Sequence, residues 1–274
     1  MSVPSVERQT NLTRLCRELQ ALAQELQVPV SPSPAAEKLS AELFLSHSTA
    51  DKKFAEICAA QIISSRARLA LQSGWAVPAG CDEAVLGTSN YVFFYTGPFR
   101  YPNSGCGLLF AQSLEVEQKD SGMATPFDSG GLLRHIARPD PAESVQSFLA
   151  RHEMPIPEHR RYLVHVMTAL FNSPNDYVEG ISQCRSSPIG LSGGDERQWT
   201  HEVRIPERVQ VQGSAHLQAV FAPRARVAVN RPIRALFKWC QHENVDTILI
   251  ETPKSDDFQA LQRTCLSYIR RKLY

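Results

Sequence analysis

The sequence predicts an α+β protein in which helices flank a mixed sheet. Runs rich in β-branched and aromatic residues, at positions 91–95 and 217–221, predict strands. Over residues 158–171 the apolar residues recur at helical spacing. The predicted strands form an early and a late group on either side of a mainly helical stretch, an order typical of α+β folds rather than of alternating strand–helix units.

Composition and charge exclude several classes of protein. Hydrophobic residues make up 43% and charged residues 21% of the 274 residues, as in a folded globular chain. With 29 Lys and Arg against 28 Asp and Glu, the net charge of +1 creates no overall attraction to nucleic acids or anionic membranes. No apolar run reaches the roughly 18 residues of a transmembrane helix. Residues 1–9 lack the basic and apolar regions of a signal peptide.

The cysteines indicate the redox environment. Seven of them are scattered along the chain, and no two form a Cys-x-x-Cys pair. This pattern predicts free thiols rather than a disulfide framework or a zinc site. We therefore expect a cytoplasmic protein that holds no metal and contacts no membrane.

An amphipathic helix is predicted at residues 12–27. Its apolar positions, spaced by three and four residues, form the leucine seam: Leu12, Leu15, Leu19, Leu22 and Leu26. Three prolines between positions 29 and 34 end the helix and form a stiff linker. Residues 1–38 are thus predicted to be a helix and Pro-rich linker in front of a single domain at 39–274. The helix either packs across that domain or docks a partner, and the sequence leaves both open.

The remaining elements follow from local patterns. The first half is predicted to contain a strand at 43–45 ending in Ser46-His47-Ser48-Thr49, a helix at 52–71 closed by Gly74, strands at 91–95 and 108–116, and a loop at 122–131. The second half is predicted to contain helices at 142–151 and 158–171, an exposed loop at 182–197, strands at 200–205, 209–211 and 217–221, a helix at 232–242, a strand at 247–251 and a helix at 256–273. Residues 117–198 are expected to be a helical insertion.

Three short segments are the most informative when they are taken together: 45–49 (LSHST), 91–102 (YVFFYTGPFRYP) and 199–206 (WTHEVRIP). Each has an ordinary structural explanation when taken singly. A histidine after a strand can cap a helix, an arginine beside prolines can form a loop ion pair, and Glu202 can pair with Arg204. Their order along the chain is more informative than any one of them.

Taken together, these segments resemble the NAD-dependent ADP-ribosyltransferases, in the branch of the DNA-modifying toxins of toxin–antitoxin systems (the DarT-like branch) and, more distantly, the RNA 2′-phosphotransferases. Those toxins have a His-x-Thr-like strand end, an aromatic segment followed by a Pro-Arg-Pro-like turn, and a late strand that carries the catalytic acid. Here residues 47–49, 91–102 and 201–209 are similar. The similarity covers three islands, well under half of the chain, and implies a split mixed or antiparallel sheet of ADP-ribosyltransferase type.

The resemblance also implies roles for individual residues, with NAD as co-substrate and no metal. Glu202 would be catalytic, stabilising positive charge at the ribose and serving as general base. Arg100 would contact the pyrophosphate or the acceptor, where a planar bidentate donor suits a phosphate. The cofactor-binding residues would be His47 on a ribose hydroxyl, the backbone of Ser48 on the nicotinamide amide, Thr49 beside it, and Tyr91 or Tyr95 against the nicotinamide ring.

The acceptor is less defined. Thr200 stands where arginine-modifying members have Glu or Gln two positions before the catalytic acid, which disfavours arginine as acceptor. DNA, RNA or protein remain, with nucleic acid favoured, although segment 116–199 matches nothing in the family pattern. The resemblance implies a bacterial toxin or anti-phage effector, with a neutralising antitoxin or docking partner that could use the N-terminal helix.

Two other functions remain open. The chain could be a non-catalytic interaction module that binds a partner through the helix at residues 12–26. Residues 128–131 (Asp-Ser-Gly-Gly) also resemble a segment of chymotrypsin-like serine proteases, with His47 upstream as that order requires. Phe127 replaces the usual glycine there, and the spacing to His47 is short for such a fold. The same glycine-rich stretch can instead form a turn or a lid over the NAD site.

Overall fold

A computed structural model describes residues 5–98, 105–180, 187–192, 200–251 and 257–273 of the chain. Arg100 lies outside these residues, as do most of the loop predicted at 182–197 and Trp199. Among the described residues, no helix is both long and apolar enough to cross a membrane.

The described part of the chain forms a mixed eight-stranded sheet in the order β10-β9-β4-β1-β3-β7-β5-β6. Its strands are β1 (Leu45–Thr49), β3 (Tyr91–Thr96), β4 (Cys106–Phe110), β5 (Met123–Thr125), β6 (Met154–Pro155), β7 (Glu202–Pro206), β9 (Leu217–Pro223) and β10 (Asp246–Ile250). Neighbours are antiparallel except β9 and β10, which run parallel. A separate antiparallel pair joins β2 (Ile62–Ser64) to β8 (Arg208–Gln210).

Helices cover both faces of the sheet. They are α1 (Ser5–Glu25), α2 (Pro34–Glu42), α3 (Asp51–Ala60), α4 (Arg66–Ser73), α5 (Asp82–Val85), α6 (Ser113–Glu117), α7 (Val145–Ala150), α8 (Ile156–Leu170), α9 (Pro174–Glu179), α10 (Arg224–Val229), α11 (Arg231–His242) and α12 (Asp257–Leu273), with a 3₁₀ turn at Gly130–Leu133.

Alternation along the strands divides the core in two. On β4, Leu108 and Phe110 face a cluster formed with α3 and α11, whereas Leu109 faces a cluster formed with α1, α8 and α12. Successive side chains of a strand point to opposite faces, so a fully buried strand with helices on both sides contributes to both clusters. The α+β class with a mixed sheet is therefore the observed architecture.

The N-terminal helix packs on this chain's own body. Leu15, Leu19 and Ala23 are buried against a cluster that includes residues of α8, and Leu12 and Leu22 pack at its edge. Of the two alternatives for this helix, packing across the domain is the one observed. Except at Leu26, which is 37% exposed, the leucine seam is consequently occupied by the chain itself, and the structure does not show it as a docking surface for an antitoxin.

The helix predicted at 52–71 is wrong, because the chain breaks at Gln61. That residue has φ +61° and ends α3, the β-branched pair Ile62-Ile63 forms β2, and Ser65 caps α4 by accepting from the N–H of Arg68. Gly74 does end α4, in the left-handed conformation with φ +69°. The helical spacing of apolar residues continues across Gln61 in the sequence, but residues 62–64 pair with β8 as a strand instead of extending the helix.

Three other boundaries differ from the prediction. The first strand runs Leu45–Thr49 rather than 43–45, so His47 and its neighbours lie within the strand. The strand predicted at 108–116 ends at Phe110 and is followed by α6, in which Leu114 and Glu115 turn inward. The stretch predicted as a loop at 122–131 contains β5, and the expected helical insertion supplies β5 and β6 to the main sheet beside β7.

Candidate active site

The three motif segments, far apart in sequence, form three adjacent strands at the centre of the sheet. β1, β3 and β7 are neighbours, and their register aligns Ser46 with Tyr95 and Tyr95 with Glu202. Thr125 of β5 lies on the other side of Glu202. Glu202 is therefore flanked by strands on both sides at the middle of the sheet.

The register places four side chains on one face. Since residues two apart on a strand share a face, and so do directly paired residues, Tyr91, Tyr95, Glu202 and Arg204 point to the same side. The guanidinium carbon of Arg204 lies 5.6 Å from the centre of the Tyr91 ring, which agrees with this assignment. The structure thus brings Glu202 and both predicted tyrosines together.

The carboxylate of Glu202 is almost completely buried, with 2% of the residue exposed. Ser129 donates to it twice, from its hydroxyl to Oε1 at 2.6 Å and from its backbone N–H to Oε2 at 3.3 Å. Burial, reinforced by the nearby negative charge of Asp128, raises the pKa of Glu202 to about 8, against the opposing effects of Arg204 and Ser129. The group can therefore change its protonation near neutral pH.

Arg204 is the cation beside Glu202. Its Nε lies 3.8 Å from Oε1 of Glu202, and its Nη2 donates to Oε2 of Glu153 at 2.8 Å. The arginine is itself 1% exposed. A guanidinium shared between two carboxylates is held in place, because each ion pair restricts its rotation.

His47 lies on the opposite face from Glu202. Its ring centre is 5.6 Å from that of Phe94, whose side chain belongs to the cluster under α3 and α11. Its Nδ1 is 2.9 Å from the carbonyl oxygen of Phe93; a carbonyl only accepts, so Nδ1 donates and Nε2 holds the lone pair of the neutral ring. Burial lowers the pKa of His47, and the charge of Lys53 adds to this effect.

The neighbours of His47 have different surroundings. Ser48 has a buried hydroxyl with no hydrogen-bond partner among the described residues, and Thr49 is half-buried at the strand end opposite Cys106. β1 pairs with β3 only through Leu45 and Ser46, beyond which the two strands separate. Ser48 therefore offers an unused donor and acceptor at a split in the sheet.

A buried histidine pair lies next to Glu202 in sequence. Nε2 of His159 and Nδ1 of His201 are 2.7 Å apart, and Tyr162 stacks on His201 with ring centres 6.1 Å apart. Burial, with a smaller contribution from Arg160, lowers the pKa of His201 to about 3. Both rings are therefore neutral at ordinary pH, and they link α8 to the start of β7.

The site of Ser129 differs from that of a serine hydrolase. Its hydroxyl is fully buried and donates to a carboxylate, not to a histidine, and His47 lies on the other face of the sheet. The geometry of a nucleophilic serine with a histidine base is therefore not present here.

Two components of this site, Asp128 and Glu153, were not predicted from the sequence, and Ser129 was given a different role. Arg204 was expected only as an ordinary ion-pair partner of Glu202, and the structure places it 3.8 Å from that carboxylate. Contacts of Ser129 and Glu153 with β7 cross many intervening residues and leave no local pattern.

Among the described residues, no three His, Cys, Asp or Glu side chains gather as metal ligands would.

Comparison with known proteins identifies no sequence family: no family model and no characterised protein sequence matches the chain. Among solved structures, Thermus sp. 2.9 DarT in complex with NAD+ is similar, with a TM-score of 0.38 and 10% identity over 80% of this chain and 95% of that one. The same protein in complex with ADP-ribosylated ssDNA gives 0.38 and 10% over 78% and 95%. Its complex with carba-NAD+ gives 0.35 and 10% over 83% and 100%.

Proposed function

We propose that the protein is an NAD-dependent ADP-ribosyltransferase that cleaves the nicotinamide glycosidic bond and transfers ADP-ribose to a macromolecular acceptor. One observation supports this most strongly. Segments chosen from sequence for their resemblance to that family, centred on positions 47, 95 and 202, form adjacent strands, with Ser46, Tyr95 and Glu202 in register. This register supports the proposal, because it places Tyr95 directly beside Glu202 on one face of the sheet.

The chemistry requires an acid such as Glu202. Breaking the bond between ribose and the cationic nicotinamide builds positive charge at the anomeric carbon. A carboxylate held at that position stabilises the charge, and its effect is greatest where water is excluded. Glu202 is buried, and among the described residues its Oε2 accepts only the longer bond of 3.3 Å from Ser129, which leaves acceptor capacity for a ribose hydroxyl.

The remaining residues would hold the substrate. Tyr95, and Tyr91 beyond it, lie on the face of Glu202 and would pack on the nicotinamide ring. Ser48 would contact the nicotinamide amide at the split between β1 and β3, with Thr49 beside it. His47 would contact a ribose through its free Nε2, which requires the ribose to enter that split from the opposite face. Arg100 would bind the pyrophosphate or the acceptor.

The acceptor and biological setting are proposed from the resemblance alone. A nucleic acid is favoured over a protein, and a toxin or anti-phage effector controlled by a neutralising partner is the expected setting. We also propose that residues 39–274 act as one catalytic domain. Because the leucine seam is occupied, such a partner would contact another surface.

The test is nicotinamide release from labelled NAD, with and without DNA, RNA or cell lysate as acceptor. We expect the wild type to release nicotinamide and the Glu202→Gln variant to lose about 100-fold or more of that rate. Glu243→Gln, at an exposed position after α11, is the matched control and should retain the activity. Equal release by wild type and Glu202→Gln would indicate that a different acid acts on NAD. No release by either protein would favour the non-catalytic interaction module.

A further inference from the structure

We propose that Ser129 is a positioning residue for Glu202: its hydroxyl and backbone N–H together fix the orientation of the carboxylate and determine which oxygen faces the substrate. The inference rests on the proposed function for its catalytic consequence, but its structural content can be measured separately. Ser129 comes from a turn that is remote in sequence, and the family resemblance does not include it.

Two donors from one residue bind two different oxygens. The hydroxyl is 2.6 Å from Oε1 and the N–H is 3.3 Å from Oε2, so rotation of the carboxylate would break both bonds. Ser129 has none of its surface exposed and Glu202 has 2%. In such a dry environment a hydrogen bond to a charged group is stronger than in water.

The surrounding turn is itself fixed. The Ser129 turn (residues 128–131) follows β5. Thr125 of β5 is paired with Glu202, and its hydroxyl donates to the carbonyl of Phe127 at 3.0 Å. Phe127 is fully buried, and Asp128 Oδ1 accepts from the N–H of Gly131 at 3.3 Å. Ser129 is therefore held on Glu202 by packing and by bonds within its own turn.

Charged groups around Glu202 act in opposite directions. Asp128, from the Ser129 turn, disfavours ionisation of Glu202, whereas Arg204 on β7 favours it and is itself shared with Glu153, which lies just before β6. The histidine pair that links α8 to β7 is neutral. Both hydrogen bonds from Ser129 favour the ionised carboxylate. Neighbouring residues 128 and 129 therefore have opposite effects on the same group.

The opposite effects of Asp128 and Ser129 on the pKa of Glu202 provide a test, because a merely structural role for Ser129 would leave that pKa unchanged. Removing the hydroxyl in Ser129→Ala should raise the pKa of Glu202 by about one pH unit, since a bond to a charged group contributes at least that much. Asp128→Asn keeps the oxygen that accepts from Gly131 but removes the negative charge, and should lower the pKa of Glu202. Ser129→Cys, with a weaker donor, should lie between wild type and Ser129→Ala.

The experiment is an NMR titration of the full chain labelled with ¹³C at the glutamate carboxyl carbon. The Glu202 signal is assigned by its loss in Glu202→Gln, and Ser40→Ala, a buried serine of α2, serves as the control that should leave the titration unchanged. Midpoints that move in opposite directions in Ser129→Ala and Asp128→Asn support the proposal. An unmoved midpoint in Ser129→Ala would overturn it.

Nicotinamide release measured as a function of pH tests whether Ser129 affects catalysis through Glu202. If ionised Glu202 is required, the acidic limb should move with the NMR midpoint, and on that limb Ser129→Ala should be about tenfold slower for each pH unit by which the midpoint rises. Absence of release in the wild type would contradict the proposed function, while the NMR midpoints would still decide the role of Ser129. Altered NMR midpoints with an unmoved acidic limb would overturn the catalytic part of the inference.

Discussion

Glu202 is a carboxyl group in surroundings that oppose its charge, and we expect the free energy of unfolding to depend on pH as a result. Its folded pKa is raised to about 8, from an ordinary value of about 4.3. A group whose folded pKa is raised stabilises the protein fully below the unfolded pKa, and that stabilisation is lost as pH rises through the folded pKa. For Glu202 the loss occurs between about pH 4.3 and 8.

Glu202→Gln should therefore stabilise the protein at alkaline pH relative to wild type. The glutamine cannot ionise, so the free energy of unfolding should gain on the order of a few kcal/mol more at pH 9 than at pH 5. Urea denaturation of both proteins at the two pH values measures this difference. Glu56→Gln, an exposed glutamate of α3, is the control. An equal difference between variant and wild type at pH 5 and pH 9 would contradict the raised pKa.

At the residue scale, the family resemblance grouped Glu202, Tyr91 and Tyr95 in one site, and the structure places all three on the same face of β3 and β7. It could not predict that His47 lies on the other face. The register of β1 decides the face. Ser46 pairs with Tyr95 and shares its face, so the next residue, His47, points to the opposite face. The predicted strand, 43–45, began two residues too early and ended four residues too early, so it did not include His47 and left the direction of its side chain undefined.

Helix α8 contacts helices α1, α2 and α9 and strands β5 and β6. Arg160 on α8 donates to the carbonyl of Ser40 at 2.7 Å and to that of Leu43 at 3.4 Å, and it forms an ion pair with Glu115 of α6. Glu115 is 1% exposed, and burial raises the pKa of its carboxyl while Arg160 opposes that change. The end of α2, α6 and α8 are thus joined by one guanidinium.

Arg160→Met should destabilise the protein by about 3–5 kcal/mol, because it leaves the Glu115 carboxyl buried without its cation. The double variant Glu115→Gln/Arg160→Met removes both charges and should lose clearly less. Glu18→Gln breaks a partly exposed ion pair with Arg14 on α1, and should change stability by no more than about 0.5–1 kcal/mol. Urea denaturation compares them; additive losses in the double variant would show that the two groups do not interact.

The leucine seam yields a second prediction at the scale of elements. Leu19 is 2% exposed and Leu26 is 37% exposed, although both belong to the same periodic pattern. Leu19→Ala should therefore cost about 2–5 kcal/mol of unfolding free energy and Leu26→Ala about 1 kcal/mol or less. Thermal or urea unfolding measures both. Small and equal losses would indicate that α1 does not pack on α8.

Long periodic elements were the most predictable. The bounds of α8, α11, α12, β3, β9 and β10 agree with the sequence patterns to within about two residues at most ends. Errors arose where a short strand interrupts a helical pattern, as β2 does after Gln61, or where a glycine-rich stretch contains three paired residues, as in β5. Such short strands depend on a distant partner, and local sequence does not specify that partner.

For the whole molecule, the α+β class could be predicted from the order of strands and helices, but the order of strands in the sheet could not. β5 and β6 extend the sheet beyond β7, which places Glu202 inside the sheet rather than at its edge. That position accounts for its burial, its contact with Ser129 and its raised pKa. The expected helical insertion therefore also helps to build the site.

The central claim is that Glu202 acts on NAD, and one measurement tests it most directly. Nicotinamide release from labelled NAD should be followed for wild type, Glu202→Gln and Glu243→Gln at pH 7 and pH 9, with nucleic acid and lysate as acceptors. We expect release by wild type and Glu243→Gln that increases towards pH 9, and a loss of about 100-fold or more in Glu202→Gln. No release by folded wild-type protein under any of these conditions would contradict the account.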